Sequence, residues 1–293
     1  MFKKILFATS ATQACDHAAR VAFNISRLYK AHLTILHVLE PDVSSTPPGQ
    51  VDEKAMTQAR QKIETDYADQ LPKTPTHGIK TPTGIPFEEI LSEILTDKPD
   101  LVVMGVSTQG EVSAADHMET AGSTLIRVAK ASTCPLLIVN RAAASFWGAI
   151  SNVIFTTDFS KASDHAFEFA CKLARTTDCE FHVFHVQTLS LTPDSQIFNQ
   201  DGVEERIREK LRFFRKKYVS KMEGIENYTI EVWEGTPYIE IVKYAREKFA
   251  DLIIMAHDSK SPGTQKDDMG SNIKQVILRA GCPVLCMNKH NPI

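Results

Sequence analysis

The residues best placed to do chemistry are two glycine–serine pairs, Gly122-Ser123 and Gly270-Ser271, each directly ahead of an apolar helical pattern. A pair of this kind opening a helix offers free backbone N–H groups, a hydroxyl cap and the positive end of the helix dipole. The dipole alone is worth about 0.3–1 kcal/mol toward an anion. The same residue types also make ordinary helix caps, which need no ligand. Other chemical signals fail on inspection. Gly105-Val106-Ser107-Thr108-Gln109-Gly110-Glu111 has the glycine spacing of a Walker-type phosphate loop, but Glu111 stands where lysine is required. No GxGxxG, GxSxG or HExxH pattern occurs. His182 and His185, three apart on a strand, face opposite sides of a sheet and cannot chelate one ion. His37 and His185 read as packed strand-end histidines. Asp116, His117 and Glu119 bring three weak ligands from one loop, short of a metal site. No nucleophile–base pairing is visible.

The elements that must position these residues come in two copies. Lys4-Ile5-Leu6-Phe7-Ala8-Thr9-Ser10 aligns with Asn152-Val153-Ile154-Phe155-Thr156-Thr157-Asp158 at an offset of 148. The same offset aligns Ile35-Leu36-His37-Val38 with Val183-Phe184-His185-Val186, Gly122-Ser123 with Gly270-Ser271, and Cys134-Pro135 with Cys282-Pro283. In between, an offset of 151 aligns Gly84-Ile85-Pro86-Phe87 with Gly235-Thr236-Pro237-Tyr238, and Asp100–Met104 with Asp251–Met255. Anchors in this order, with one compensated slip, define domains over residues 1–141 and 150–293, with a seam near Arg141–Ile150.

Within each copy, short apolar runs alternate with helical patterns, the signature of βαβ units and a parallel sheet. Strands are expected near 4–9, 32–38, 76–81, 100–105 and 136–139, and near 152–157, 180–186, 227–233, 251–256 and 283–287. Ala18, Val21, Ala22, Ile25 and Leu28 form one apolar stripe, repeated by Ala166, Phe169, Ala170, Leu173 and Ala174. Pro86 and Pro237 mark first helical positions. A further stripe, Val203, Ile207, Leu211, Phe214 and Tyr218, lies on a helix whose other faces carry seven cations, Lys210 and Lys217 among them. Glu204, Glu205 and Glu209 interleave with these, as on a solvated face. The fold class is α/β: two doubly wound five-stranded parallel-sheet domains in tandem, with ligand sites at the carboxyl ends of the strands.

Composition sets the outer bounds. The net charge of −3 gives no footprint for nucleic acid or anionic membrane. No apolar run approaches a membrane span, and no export signal is visible, so a cytoplasmic location is expected. The six cysteines are scattered without a CxxC pair and read as reduced, buried thiols.

With these residues in view, the chain resembles the universal stress protein family, here in tandem form. Phe155-Thr156-Thr157-Asp158-Phe159-Ser160 is similar to the family's first-strand turn, and Phe7-Ala8-Thr9-Ser10 is a looser copy. Leu36-His37-Val38 and Phe184-His185-Val186 are similar to its second strand-end, and Cys134-Pro135 and Cys282-Pro283 open its last strand. The resemblance implies an adenine nucleotide alpha hydrolase-like fold, and a non-catalytic regulatory protein of the stress response. The implied ligand is an adenine nucleotide such as ATP or AMP, with Mg2+ only alongside it. The implied site residues are Thr157, Asp158, Val186, Ala256, Gly270 and Ser271 in the second copy, and Thr9, Val38, Gly105, Gly122 and Ser123 in the first. Both copies depart from the family's Gly-x2-Gly-x9-Gly-Ser/Thr motif. Thr108 replaces one glycine in the first copy, with Gly110 displaced nearby. Ala256 and Ser259 replace two in the second. The family's adenine-facing acid survives as Asp158 but is Ser10 in the first copy. The first phosphate loop carries Glu111, Asp116 and Glu119, the second Lys260 and Lys266, so recognition is expected to favour the second copy. The alternative is a protein-interaction scaffold with vestigial pockets. An ATP-dependent enzyme of the wider class would need HIGH-type or Ser-Gly-Gly-x-Asp-Ser loops, which are absent. Family domains pair through their last strands. A tandem chain is expected to make that contact internally, between Leu136–Val139 and Val284–Met287, as a pseudo-dimer open to further homodimerisation with itself or to protein partners not yet named.

Overall fold

The computed structural model of the chain describes residues 1–40, 53–106, 122–140, 150–188, 200–257, 271–288 and 291. Five strands come from the first repeat: β1 (Lys4–Ala8), β2 (His32–Leu36), β3 (Thr76–Lys80), β4 (Leu101–Gly105) and β5 (Leu136–Val139). Five come from the second: β6 (Asn152–Thr156), β7 (Glu180–Gln187), β8 (Tyr228–Glu234), β9 (Leu252–Ala256) and β10 (Val284–Met287). The helices are α1 (Asp16–Tyr29), α2 (Glu53–Asp66), α3 (Pro86–Asp97), α4 (Ser123–Ala131), α5 (Lys161–Thr177), α6 (Gln200–Tyr218), α7 (Pro237–Glu247) and α8 (Ser271–Arg279).

All ten strands join one sheet in the order β3-β2-β1-β4-β5-β10-β9-β6-β7-β8. Every neighbouring pair is parallel except β5–β10 at the centre, where Ile138 faces Val284 and Leu136 faces Cys286 antiparallel. The predicted internal pairing of last strands is therefore present. Each half's otherwise open edge is closed by the other, which removes two unpaired ladders from solvent.

Strand alternation sorts the core into two layers that both run across the junction. Phe7, Leu33, Val103, Leu137, Phe155, Val183, Ile254 and Leu285 pack under α1, α2, α5 and α6. Leu6, Val102, Leu136, Ile154, Phe184, Ile253 and Val284 pack under α3, α4, α7 and α8. Burial on both faces explains why the central strands read as unbroken apolar runs. The α5 stripe is buried throughout, but Leu28, the last member of the α1 stripe, is 60% exposed. It sits in the final turn of α1, where Lys30 takes a left-handed φ of 54° and ends the helix. All six cysteines are free and buried, as expected.

The junction is also sewn by side-chain amides. Asn140 and Asn288 occupy matching positions just past β5 and β10. The Asn140 amide donates to the carbonyls of Ile277 and Ala280 at the end of α8, both at 2.8 Å. Asn288 donates to the Ser132 carbonyl at the end of α4 at 2.8 Å, joined there by Asn291 at 3.0 Å. A helix's last carbonyls lack intrahelical donors, so each repeat caps a helix of the other.

Candidate functional site

The switch point of the second repeat lies where β6 passes to β9 on one side and β7 on the other, and a cavity of about 540 Å3 opens there. Its wall includes Thr157, Asp158, Phe159, His185, Val186, Lys210, Ile241, Ala256, His257, Asn272 and Ile273. This size suits a small organic ligand. Four of the six residues expected here, Thr157, Asp158, Val186 and Ala256, thus meet at one surface. Ser271 opens α8 beside the wall residues Asn272 and Ile273. Gly270, Lys260, Lys266 and Ser259 lie outside the described residues.

The turn after β6 is built by Thr157. Its N–H donates to Phe184 O at 3.0 Å, and its carbonyl receives His185 Nδ1 at 2.7 Å. Its Oγ1 accepts from Phe159 N at 2.9 Å and donates to the Tyr218 hydroxyl at 2.9 Å. Tyr218 in turn donates to Asp164. Every polar group of Thr157 is engaged, so it shapes the turn and meets the cavity through van der Waals contact alone. Phe159 follows in the left-handed region at φ 64°, held by Lys217 Nζ on its carbonyl at 3.0 Å. Lys217, a cation that the sequence pattern puts on a solvated face, also pairs with Asp164 at 2.7 Å.

Asp158 is exposed toward the cavity. One oxygen, Oδ1, accepts from Ser160 N at 2.9 Å and Ser163 Oγ at 2.6 Å, which seats the start of α5. Partial burial pushes this carboxyl up, but the serine hydrogen bonds outweigh it and hold the group below its usual pKa. Asp158 is therefore a fixed, ionised acceptor in the cavity wall.

Val186 owes its place to strand geometry. On β7, Phe184 turns its backbone toward β6, whereas Phe181 and Gln187 turn theirs toward β8. Alternation then directs the N–H and C=O of Val186 toward β6, whose pairing with β7 stops at Thr156–Phe184. The backbone edge of Val186 faces the cavity without a strand opposite it. Ala256 closes β9 with no positive φ, so the methyl that replaces the family glycine strains nothing.

Sequence reasoning missed Lys210, His185 and His257 as wall residues. Lys210 was placed on a solvated helix face, but it is half-buried, with Nζ 5.5 Å from the Phe159 ring centroid. His257 Nε2 donates to the Ala129 carbonyl of α4, 2.8 Å away in the other repeat. Only the tertiary fold brings these residues together; their spacing carries no periodic signal.

In the first repeat, Thr9 repeats the turn: its N–H reaches Leu36 O at 2.9 Å, its carbonyl takes His37 Nδ1 at 2.9 Å, and Ala11 N donates to its Oγ1 at 3.0 Å. Ser10 in place of the acid spends its hydroxyl on Thr12 at 2.9 Å and Cys15 at 3.3 Å. Val38 is half-buried just past β2. A Cβ added at Gly105 would lie 3.4 Å from Cys15 and Ala18, at the edge of ordinary van der Waals contact. Gly122 is the N-cap of α4 and, having no side chain, leaves the first-turn N–H groups uncapped; Ser123 begins the helix. The hydroxyl cap expected from the Gly-Ser pair is not formed there. Gly110, Glu111, Asp116, His117 and Glu119 lie outside the described residues. No cluster of metal-ligating side chains occurs among the described residues.

Burial lowers the pKa of His182 and of His185, the latter despite its bond to Thr157. As predicted, the two rings occupy opposite faces: His185 lies against Phe159, His182 against Tyr244. An unfolded chain binds protons at these histidines before the folded one does, so folded stability is fully present above about pH 6.5 and declines as pH falls below it. Thermal unfolding is expected to shift down between about pH 7.5 and 5.5, and less so in a His182→Gln/His185→Gln variant. An equal decline in the variant would assign the effect to other groups.

The model of the universal stress protein family matches this chain twice, over residues 1–140 and 149–288. The chain belongs to the universal stress protein family. It is similar to universal stress protein MJ0531 of Methanocaldococcus jannaschii, 32% identical over 143 residues, which cover 47% of this chain and 81% of that protein. A universal stress protein of Thermus aquaticus is 30% identical over 143 residues, covering 47% of this chain and 99% of its own length. Among solved structures, a universal stress protein from Archaeoglobus fulgidus shares the fold across 98% of this chain and 97% of its own, with a TM-score of 0.71 at 20% identity. The α/β fold is thus shared with that structure across both repeats. No helix among the described residues is long and apolar enough to cross a membrane.

Proposed function

We propose that this universal stress protein is a non-catalytic regulator that binds an adenine nucleotide in its second repeat, in the cytoplasm. The observation that carries this reading is the cavity at the second switch point, where Asp158 and the open backbone edge of Val186 share one wall. A carboxylate oxygen beside an N–H and a C=O matches the amino group and ring nitrogens of adenine. The start of α8, at the same cavity, supplies N–H groups and dipole for a 5′-phosphate. Calorimetry with AMP and ATP tests the reading, with binding to the intact chain as the expected result and no heat with either nucleotide as its refutation.

The first repeat is assigned a structural role. Ser10 offers a neutral hydroxyl already shared between Thr12 and Cys15, where adenine recognition would call for a free acceptor. This observation favours the scaffold reading for that half alone.

Turnover is expected to be negligible. Hydrolysis needs a positioned water, a base and neutralisation of phosphate charge, usually with Mg2+. Asp158 is the carboxylate among the described wall residues, and it is committed to the turn and held below its usual pKa, which makes it a poor base. Sustained phosphate release from ATP by the purified protein, abolished in Asp158→Asn, would overturn this assignment.

A further inference from the structure

We infer that Lys210 is a specificity-determining residue, and that the second-repeat cavity selects adenine nucleotides carrying an additional phosphate on the ribose beyond the 5′ position. The inference rests on the nucleotide reading above and deepens it.

Three observations carry it. First, Lys210 differs from the cations beside it on the same face of α6. Arg206 pairs with Glu234 at 3.5 Å and Lys217 with Asp164 at 2.7 Å. Between them, Lys210 makes no ion pair among the described residues, and its ammonium rests 5.5 Å from the Phe159 ring centroid in the cavity wall. A half-buried ammonium has given up part of its hydration, and an aromatic face returns only part of that, so an anion is its natural complement.

Second, His185, which shares the cavity wall with Lys210, is an acceptor awaiting a donor. His185 is 9% exposed and lines the cavity; its Nδ1 is committed to Thr157, and its buried Nε2 has no hydrogen-bond partner. The Nδ1 bond fixes the tautomer, so Nε2 is the acceptor. An acceptor beside a cation fits a sugar bearing a hydroxyl and an anionic substituent better than it fits a bare phosphate chain.

Third, the position of Lys210 separates it from the 5′-phosphate end. The cavity spans the ends of β9, β6 and β7, two strand spacings or about 10 Å. Ile273 of α8, the helix that follows β9, packs on one face of the sheet, whereas α6 packs on the other, where Lys210 meets Phe159, which follows β6 and lies against His185 of β7. One terminal phosphate cannot serve both ends, and a second anionic group on the ribose can.

Calorimetry on the full chain with AMP, adenosine 3′,5′-bisphosphate and adenosine 2′,5′-bisphosphate decides the matter. One bisphosphate is expected to bind at least about tenfold more tightly than AMP, the scale of one charge-assisted contact. That preference should collapse toward unity in Lys210→Gln and persist in Lys210→Arg, with circular dichroism confirming that both variants fold. Equal affinity for AMP and both bisphosphates in the parent, or a preference unchanged in Lys210→Gln, overturns the inference while leaving nucleotide binding intact. Failure of all three ligands to bind the parent removes the nucleotide reading and this inference with it.

Discussion

Replacing Asn140 with leucine is expected to cost the protein about 2–5 kcal/mol of folding stability. Asn140 is buried, and its amide satisfies two carbonyls at the end of α8, on the far side of the repeat junction. Leucine fills a similar volume but leaves both carbonyls dry and unpaired, each a loss of about 1–3 kcal/mol. The matching Asn288→Leu change should cost less, because Asn291 still donates to Ser132. Urea unfolding measures both. The parent should unfold in one transition, since both core layers cross the β5–β10 ladder. A loss under about 1 kcal/mol in Asn140→Leu would mean that water replaces the amide at the junction.

The second large effect is on ligand affinity. Asp158→Asn is expected to weaken AMP binding by about tenfold to a hundredfold, the worth of a hydrogen bond to a charged acceptor. Asparagine is the informative substitution because its carbonyl can still accept from Ser160 N and Ser163 Oγ. Alanine would remove that support from the start of α5 as well and cost roughly 1 kcal/mol of stability. Gly122→Val, in the first repeat, should lower affinity less than Asp158→Asn. If only the Gly122 change weakens binding, the ligand sits in the first repeat and the assignment of the two halves is reversed.

Much of the architecture was legible in the sequence because it is written twice and periodically. Apolar runs such as Leu101–Met104 and Leu252–Met255 could only be strands buried on both faces, and the stripe Ala166 to Ala174 could only be a helix lying on them. The repeat alignment located Leu136–Val139 and Val284–Met287, and the family resemblance implied that these two edges meet, as they do. Asp158 and Val186, expected from the family resemblance, both line the second-repeat cavity. The orientation of Val186's backbone toward the cavity follows from strand alternation once the pairing of β7 is known. What the sequence could not carry is contact between residues far apart along the chain. Lys210 reads as one cation among seven on a helix. Its role depends on how α6 rotates over the Phe159 turn, which is set by packing of Phe214 and Tyr218 into the core. His257 and Asn140 reach helix ends in the other repeat, roughly 130 residues away, and no local pattern encodes which carbonyls are left open there. Local propensity and periodicity determine elements and their order. The choice of which side chains converge on a cavity or a junction is made by packing, because it depends on distances that exist only when the sheet has closed at its centre.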